Sequence, residues 1–519
     1  MLKRLLAPLS PANSSDPSGT PPDSSTSYSL SQRIGLVAGP LFFLLTLFFF
    51  TPTDLSPEGR AVLATTIWVA IWWMTEAVPI PATSLLPIVL LPITGALDNS
   101  AVTSAYGNDI IYLFLGGFFI ATAMEKWSLH RRIALAIIAF VGTSTQRILL
   151  GFMIATAFLS MWVSNTASVM MMVPMALAIT SQVASALQGR PEARDIPVFE
   201  KALLFGVGYA GTIGGLGTLI GTPPNIILAA QARELFGVEI SFASWMLIGV
   251  PMVAVLLVIA WVYLGRFAFR MSISGLPGGQ SMIRQEREAL GPIGPEEKAV
   301  ACVFTLAAFF WITRSFIWVN VFPEITDGMV AIAASVALFL IPAQQDDSPR
   351  ILNWVDSKNI PWGILLLFGG GLAIATGFRV TGLSDWMGNQ LTVLEGLPVI
   401  LVIAMASLLI LFLTEITSNT ATATMIVPVV ASLALALNLH PFALMIPCAM
   451  AANCAFMLPV GTPPNAIIFA TEKLRMTEMM RVGFLLNLIA ATLITLAVYY
   501  LVPPLWDLSL DVIPAAFQR

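Results

Sequence analysis

Apolar runs long enough to cross about 30 Å of hydrocarbon recur along this chain from Ile34 to Leu501, separated by short polar breaks. Backbone in hydrocarbon must satisfy every N–H and C=O internally, so so many runs of this length leave an all-α membrane bundle as the fold class. Composition agrees: 57% of residues are hydrophobic, 10% are charged and the mean hydropathy is +0.85, a balance foreign to water-soluble domains. The 519 residues therefore read as one large membrane domain rather than several soluble ones.

The polar breaks delimit eleven expected transmembrane helices, near 34–51, 61–77, 80–97, 109–125, 202–230, 242–266, 299–314, 326–342, 360–379, 441–470 and 480–502. Two further apolar pairs, 148–163 with 168–184 and 396–416 with 421–438, are each split by a short polar tip. Their arms are too short to span comfortably, so they read as re-entrant hairpins. Met1 to Ser31 is rich in Ser and Pro, carries Lys3 and Arg4, and lacks the apolar core and cleavage site of a secretory signal. It reads as a disordered cytosolic tail, residues 1–31, before a single membrane domain over 32–519. A net charge of -4 points to no nucleic-acid partner. Cys302, Cys448 and Cys454 lie in apolar segments without metal-ligand spacing and read as core thiols.

Basic residues set the orientation, because cytoplasmic loops are enriched in Lys and Arg. With a cytosolic N-terminus and hairpins that return to their own side, Arg60, Arg233, Arg314, Arg379 and Arg519 are external and the other 20 of the 25 basic residues are cytosolic. The C-terminus is then external, the first hairpin enters from the cytosol and the second from outside.

The chain also matches itself. At an offset of 254 residues, Leu113-Phe114, Gly116-Gly117 and Ile120-Ala121-Thr122 recur as Leu367-Phe368, Gly370-Gly371 and Ile374-Ala375-Thr376, and Ser164-Asn165-Thr166-Ala167 recurs as Ser418-Asn419-Thr420-Ala421. Gly221-Thr222-Pro223-Pro224-Asn225 recurs at an offset of 240 as Gly461-Thr462-Pro463-Pro464-Asn465. The first copy holds extra residues, placed naturally in the polar segment Gln188 to Glu200. Copies entering from opposite sides make an inverted repeat, with repeats near 60–270 and 298–505, and put substrate and ion sites near midplane between them.

Each Ser-Asn-Thr motif interrupts a hairpin at its tip, where a helix beginning there presents free N–H groups and a positive dipole end suited to a carboxylate. The hydroxyls and amides can donate to an anion, while their oxygens and the loop carbonyls can hold a hard cation such as sodium. In each Gly-Thr-Pro-Pro-Asn motif the prolines break a helix and free carbonyls for such a cation. Ser160 and Thr414, one turn before the tips and 254 residues apart, carry hydroxyls within reach. The plainer reading of each motif alone is helix capping or interhelical hydrogen bonding. Recurrence as paired polar breaks favours a binding site. None of the basic residues falls within a tip or a Pro-Pro break, so a bound dianion is balanced by dipoles, amide donors and cations.

Other polar residues carry less. Glu415 stands where the first repeat has Met161, and reads as a structural acceptor that holds the hairpin or tunes the nearby cation site. Glu76, Asp109, Glu125 and Asp385 fall at span edges, and His130 and His440 lie in connections, with no partner for proton relay or metal binding. An enzyme needs a nucleophile with its base or a metal cluster, which two His residues outside the spans do not provide.

The two Ser-Asn-Thr motifs, the two Gly-Thr-Pro-Pro-Asn motifs and their order resemble the divalent anion/sodium symporter family from about Arg33 onward. Tyr106 to Gly117, Gly208 to Asn225 and Thr414 to Pro428 look most like the bacterial sodium-dependent dicarboxylate symporters of the inner membrane. The resemblance implies a homodimer with a fixed scaffold and an elevator-type transport domain built from elements at about 130–232 and 385–475. It implies sodium as the co-transported ion and C4 dicarboxylates, succinate, fumarate and malate, as substrates. One sodium site would be lined by Ser160, Ser164, Asn165 and Gly221, the other by Thr414, Thr417, Asn419 and Gly461. Asn165, Thr166, Thr222, Asn419, Thr420, Thr462 and Pro463 would face the carboxylates. A sodium-independent exchanger, or a carrier of citrate or sulfate, shares these features.

Overall fold

The computed structural model describes residues 28–142, 144–269, 279–345, 348–390 and 396–517. Most of the expected tail lies outside them. Of its last residues, Ser29 already caps a helix, Leu30–Phe49: its hydroxyl accepts from the Gln32 N–H while the Gln32 side chain accepts from the Ser29 N–H. The first membrane helix thus begins before residue 34.

The described chain is all-α, with one short antiparallel pair, Pro342–Gln345 against Ser348–Arg350. Nine of its helices are long and apolar enough to cross a membrane, and five shorter apolar helices accompany them. The crossing expected at 202–230 is broken into Ile196–Gly214 and Pro223–Phe236, and that at 441–470 into Phe442–Asn453 and Pro463–Phe469. Both breaks fall at the Pro-Pro motifs, as proline requires.

The hairpin arms are unequal. Thr145–Ser160 and Val399–Thr414 have 16 residues each, whereas Asn165–Ala186 and Asn419–Ala436 have 22 and 18 and reach spanning length. Asn165-Thr166 and Asn419-Thr420, read as tip, form the first turn of these helices, which lengthens the first beyond expectation and shifts the second two residues toward the N-terminus at its expected length; Pro174 and Pro428 do not end them. Two short helices, Leu129–Val141 and Leu383–Gln390, were not expected. They follow Asp109–Lys126 and Trp362–Val380 at the same 254-residue offset, too short to register as spans.

Burial separates periphery from centre. Leu30–Phe49 and Pro295–Val321 are only 22% and 28% buried, consistent with lipid-facing surfaces, whereas Pro191–Gly217 is 78% buried. The irregular backbone at 218–222 is buried, and that at 454–462 is buried or half-buried except at Val460, which lines an internal cavity; non-helical backbone at membrane depth is tolerated in such settings. The two halves interlock at that centre. Pro223–Phe236 packs against Asn419–Ala436, and Pro463–Phe469 against Asn165–Ala186, so the helix after each break rests on the other half's hairpin. Within each half the packing is equally tight at Gly214 and Gly483, where a Cβ would enter backbone of Ala157 or of Phe456 and Met457.

Candidate substrate and cation site

Both tips and both breaks converge on one cavity of about 820 Å³. Its lining includes Ser164, Asn165 and Thr166 with Ser418, Asn419 and Thr420, and Gly221 and Thr222 with Gly461, Thr462 and Pro463. Asn165 and Asn419 are the first residues of their helices, so each helix aims its free N–H groups at this space. The charged residues in the lining are Glu76 and Glu125, placed with Ser29, Gln32, Asn359 and Pro361. No Lys or Arg among the described residues lines the cavity.

Behind each tip, oxygens gather. Ser160 is fully buried, and its Oγ donates to the Gly211 carbonyl at 2.6 Å while standing 2.6 Å from the amide oxygen of Asn165. That same amide position lies 3.2 Å from the carbonyl oxygens of both Gly211 and Gly221. The second half repeats the pattern: Thr414 Oγ1 donates to the Ala452 carbonyl at 2.7 Å, and the Asn419 amide atom lies 2.6 Å from Thr414 Oγ1, 3.2 Å from the Ala452 oxygen and 3.0 Å from the Gly461 oxygen. Each cage thus gathers a hydroxyl and two carbonyl oxygens around one end of the Asn amide, oxygen donors of the kind a hard cation takes.

The remaining carbonyls of the breaks are tied off by asparagines quoted in the motifs but given no role from sequence. Asn225 Nδ2 donates to the carbonyls of Gly215 and Thr218 at 2.9 and 2.8 Å, and Asn465 Nδ2 to those of Ala455 and Leu458 at 3.1 and 3.0 Å. This leaves the Gly221 and Gly461 oxygens to the cages. Asn453 was missed as well, although an Asn in an otherwise apolar run is a signal. Fully buried, it donates to the Thr212 carbonyl at 2.7 Å, and its Oδ1 accepts from Thr222 Oγ1 at 2.7 Å. It stands next to Ala452, so it joins the second cage to the first motif.

Two of the hydroxyls assigned to cations are engaged locally. Ser164 Oγ caps its helix by accepting from the Ala167 N–H at 3.2 Å. Thr417 Oγ1 donates to the Leu413 carbonyl at 2.8 Å and shares a 2.6 Å bond with Thr422. Glu415 accepts from the backbone N–H groups of Phe456, Met457 and Leu458 at 2.8 to 2.9 Å and from Asn487 Nδ2 at 2.7 Å. It thereby fixes the loop of the second break. The first half has no carboxylate there; Trp245 Nε1 donates to the Leu216 carbonyl at 3.0 Å, and Thr218 Oγ1 donates to the Met161 carbonyl.

A sequence model of the sodium:sulfate symporter transmembrane region matches residues 30–506. The chain is 55% identical over 490 residues to a sodium-dependent dicarboxylate transporter, SdcS, of Staphylococcus saprophyticus, covering 94% of each chain. It is also 55% identical to SdcS of Staphylococcus aureus, with 92% of each chain covered. The fold resembles two solved transporters at low identity: YdaH of Alcanivorax borkumensis, with a TM-score of 0.56 at 12% identity over 84% of this chain and 97% of that one, and MtrF of Neisseria gonorrhoeae, with 0.52 at 13% over 88% and 97%. Sharing a family model from its first membrane helix to its last and over half its residues with these relatives, the chain belongs to the sodium:sulfate symporter family and is a multi-pass membrane transporter, not an enzyme.

Proposed function

We propose that this chain is a secondary active transporter that couples inward sodium flow to uptake of C4 dicarboxylates such as succinate, fumarate and malate. The observation that carries this reading is the pair of oxygen cages flanking one cavity with no Lys or Arg in its described lining. A dianion there is balanced by two helix N-termini, by hydroxyl and amide donors of the tips, and by cations in the cages. The SdcS relatives, named sodium-dependent dicarboxylate transporters, support both the ion and the substrate class. Sodium binds first, held by Ser160, Asn165 and the Gly221 carbonyl in one half and by Thr414, Asn419 and the Gly461 carbonyl in the other, with Ser164 and Thr417 supporting the tips. Thr166, Thr222, Thr420, Thr462 and Pro463 then meet the carboxylates.

The transport cycle is an elevator-type movement of the elements at about 130–232 and 385–475, related as an inverted repeat, against a scaffold in a homodimer of the bacterial inner membrane. With a cytosolic N-terminus and an external C-terminus, the cavity mouth at Ser29, Gln32, Glu125, Asn359 and Pro361 falls on the cytosolic side. The structure then corresponds to the inward-open state, and Glu76 and Glu125 at that mouth repel a dianion as it leaves. Substrate identity is tested by competition in proteoliposomes, with labelled succinate challenged by fumarate, malate, citrate and sulfate in sodium. Fumarate and malate should compete strongly, and citrate and sulfate weakly. Stronger competition by sulfate or citrate overturns the substrate class.

A further inference from the structure

We propose that Asn453 is a positioning residue that links the two cation cages, so that a cation in one prepares the other and the pair fills cooperatively. This rests on the sodium-coupled reading above and deepens it.

Asn453 ends the helix Phe442–Asn453 and is fully buried. It belongs to the second half, yet both ends of its amide engage the first. Nδ2 donates to the Thr212 carbonyl at 2.7 Å, and Oδ1 accepts from Thr222 Oγ1 at 2.7 Å. The direction of both bonds is fixed, because a carbonyl can only accept and the nitrogen must therefore face Thr212. Thr212 directly follows Gly211, and Thr222 directly follows Gly221, the two residues whose carbonyl oxygens stand in the first cage. Asn453 itself directly follows Ala452, whose carbonyl oxygen stands in the second. One buried side chain thus grips the chain one residue beyond both first-cage carbonyls, while its own backbone carries on from a carbonyl of the other cage. The arrangement is not repeated in reverse. At the offset of 240 that relates the two breaks, Asn453 corresponds to Ile213, whose side chain has no polar group to return such a bond.

Coupling follows from what a cation demands of its ligands. Bound oxygens are held to within about 0.2 Å, so filling the first cage fixes the peptides that follow Gly211 and Gly221. Thr212 and Thr222 are fixed with them, and these are the two groups that hold the ends of the Asn453 amide. Asn453 then keeps one rotamer, and the Ala452 carbonyl is set at the second cage before a second cation arrives. The cost in conformational freedom falls on the first ion, and the second meets a site already ordered. By thermodynamic reciprocity, a cation entering the second cage first prepares the first cage equally.

Equilibrium binding of radioactive sodium to the full-length protein in lipid nanodiscs, without succinate and with potassium as the balancing salt, reads the link. For two cages of similar intrinsic affinity, a coupling of roughly 5- to 150-fold gives wild type a Hill coefficient of roughly 1.4 to 1.8. Asn453→Leu keeps the branched outline of the side chain and removes both bonds. Its Hill coefficient should fall to about 1.0, and its half-saturating sodium concentration should rise by the square root of the coupling, roughly 2- to 12-fold, with both cages still filled. A site that was merely loosened would need more sodium but bind it as steeply as before. Asn453→Ala removes the same bonds without added bulk and should behave alike, which covers the case in which leucine prevents folding. A variant that binds sodium as steeply as wild type overturns the link. So does one that loses an ion outright, since Asn453 would then be part of one cage and not the connection between them. Wild type that fills both cages with a Hill coefficient of about 1.0 overturns it without any variant. Wild type that binds no sodium would instead overturn the sodium-coupled reading beneath the proposal.

Discussion

Gly221 and Gly461 occupy equivalent places in the two breaks and each contributes a carbonyl to a cage, yet their surroundings differ enough to predict unequal consequences for the same substitution. A Cβ on Gly221 would stand 2.5 Å from the Gly215 oxygen and 3.1 Å from the Gly215 Cα and carbonyl carbon, all backbone. A Cβ on Gly461 would meet the Glu415 backbone oxygen at 3.0 Å, the Ala455 methyl at 3.1 Å and Glu415 Oε2 at 3.2 Å. Ordinary contact begins at 3.4 Å, so Gly221→Ala demands about 0.9 Å of movement from backbone, and Gly461→Ala about 0.4 Å, shared with side-chain atoms. Cation–oxygen distances tolerate only about 0.2 Å. Overpacking of this kind costs about 1 to 3 kcal/mol, with Gly221→Ala at the upper end. The sodium concentration for half-maximal succinate uptake should therefore rise roughly 100-fold in Gly221→Ala and roughly 3- to 10-fold in Gly461→Ala, at about 1.4 kcal/mol per decade. Uptake into proteoliposomes across a sodium series reads both. If Gly461→Ala proves as damaging as Gly221→Ala, or if both are silent, the cages are not where the cations bind.

Glu415→Ala should lower the stability of the purified protein by at least about 3 kcal/mol, because it strands three backbone N–H groups and the Asn487 amide; an unchanged thermal midpoint would refute the clamp. Asp327→Leu should cost about 1 to 3 kcal/mol by removing the 2.6 Å partner of Arg314, itself 5% exposed, and the acceptor of the Phe242 N–H, while Glu239 at 2.5 Å still pairs the guanidinium; an unchanged thermal midpoint would count against the buried pair. His440 lies in the turn between Asn419–Ala436 and Phe442–Asn453, where burial lowers its imidazole to about 4 and its ring centre lies 4.5 Å from that of Phe517. Because the folded value lies below the ordinary 6.5, its contribution is fully present above pH 6.5 and is lost as pH falls toward 4, by up to about 3 kcal/mol. Thermal midpoints measured over that interval should fall less in His440→Phe than in wild type.

Legibility from sequence followed the strength of the physical constraint. Hydrocarbon imposes its demand over whole segments, so each expected crossing contains helix, although 80–97, 202–230 and 441–470 are each broken into two. The repeated motifs likewise announced the cavity, because Asn165 with Asn419 and Thr222 with Thr462 recur at fixed offsets and line it together. Hairpin lengths were misjudged for a reason in the same residues: Asn165 and Thr166 read as an interruption, whereas capping by Ser164 lets them open a helix. The Gly211 and Ala452 carbonyls had no signature, since any residue supplies a carbonyl and only the fold decides which ones are left without a donor. The bonds of Glu415 were equally hidden, because its acceptors' partners lie some forty residues away in the break loop and, at Asn487, 72 residues away.

Coupling is tested most directly by gradient-driven uptake. Purified protein is reconstituted with potassium inside, and labelled succinate is supplied with external sodium, with external potassium, or with external potassium and unlabelled succinate inside. Accumulation only with external sodium, abolished in Asn165→Ala and Asn419→Ala, is the expected result. Uptake that ignores sodium and requires internal succinate would make the protein an exchanger and contradict sodium coupling.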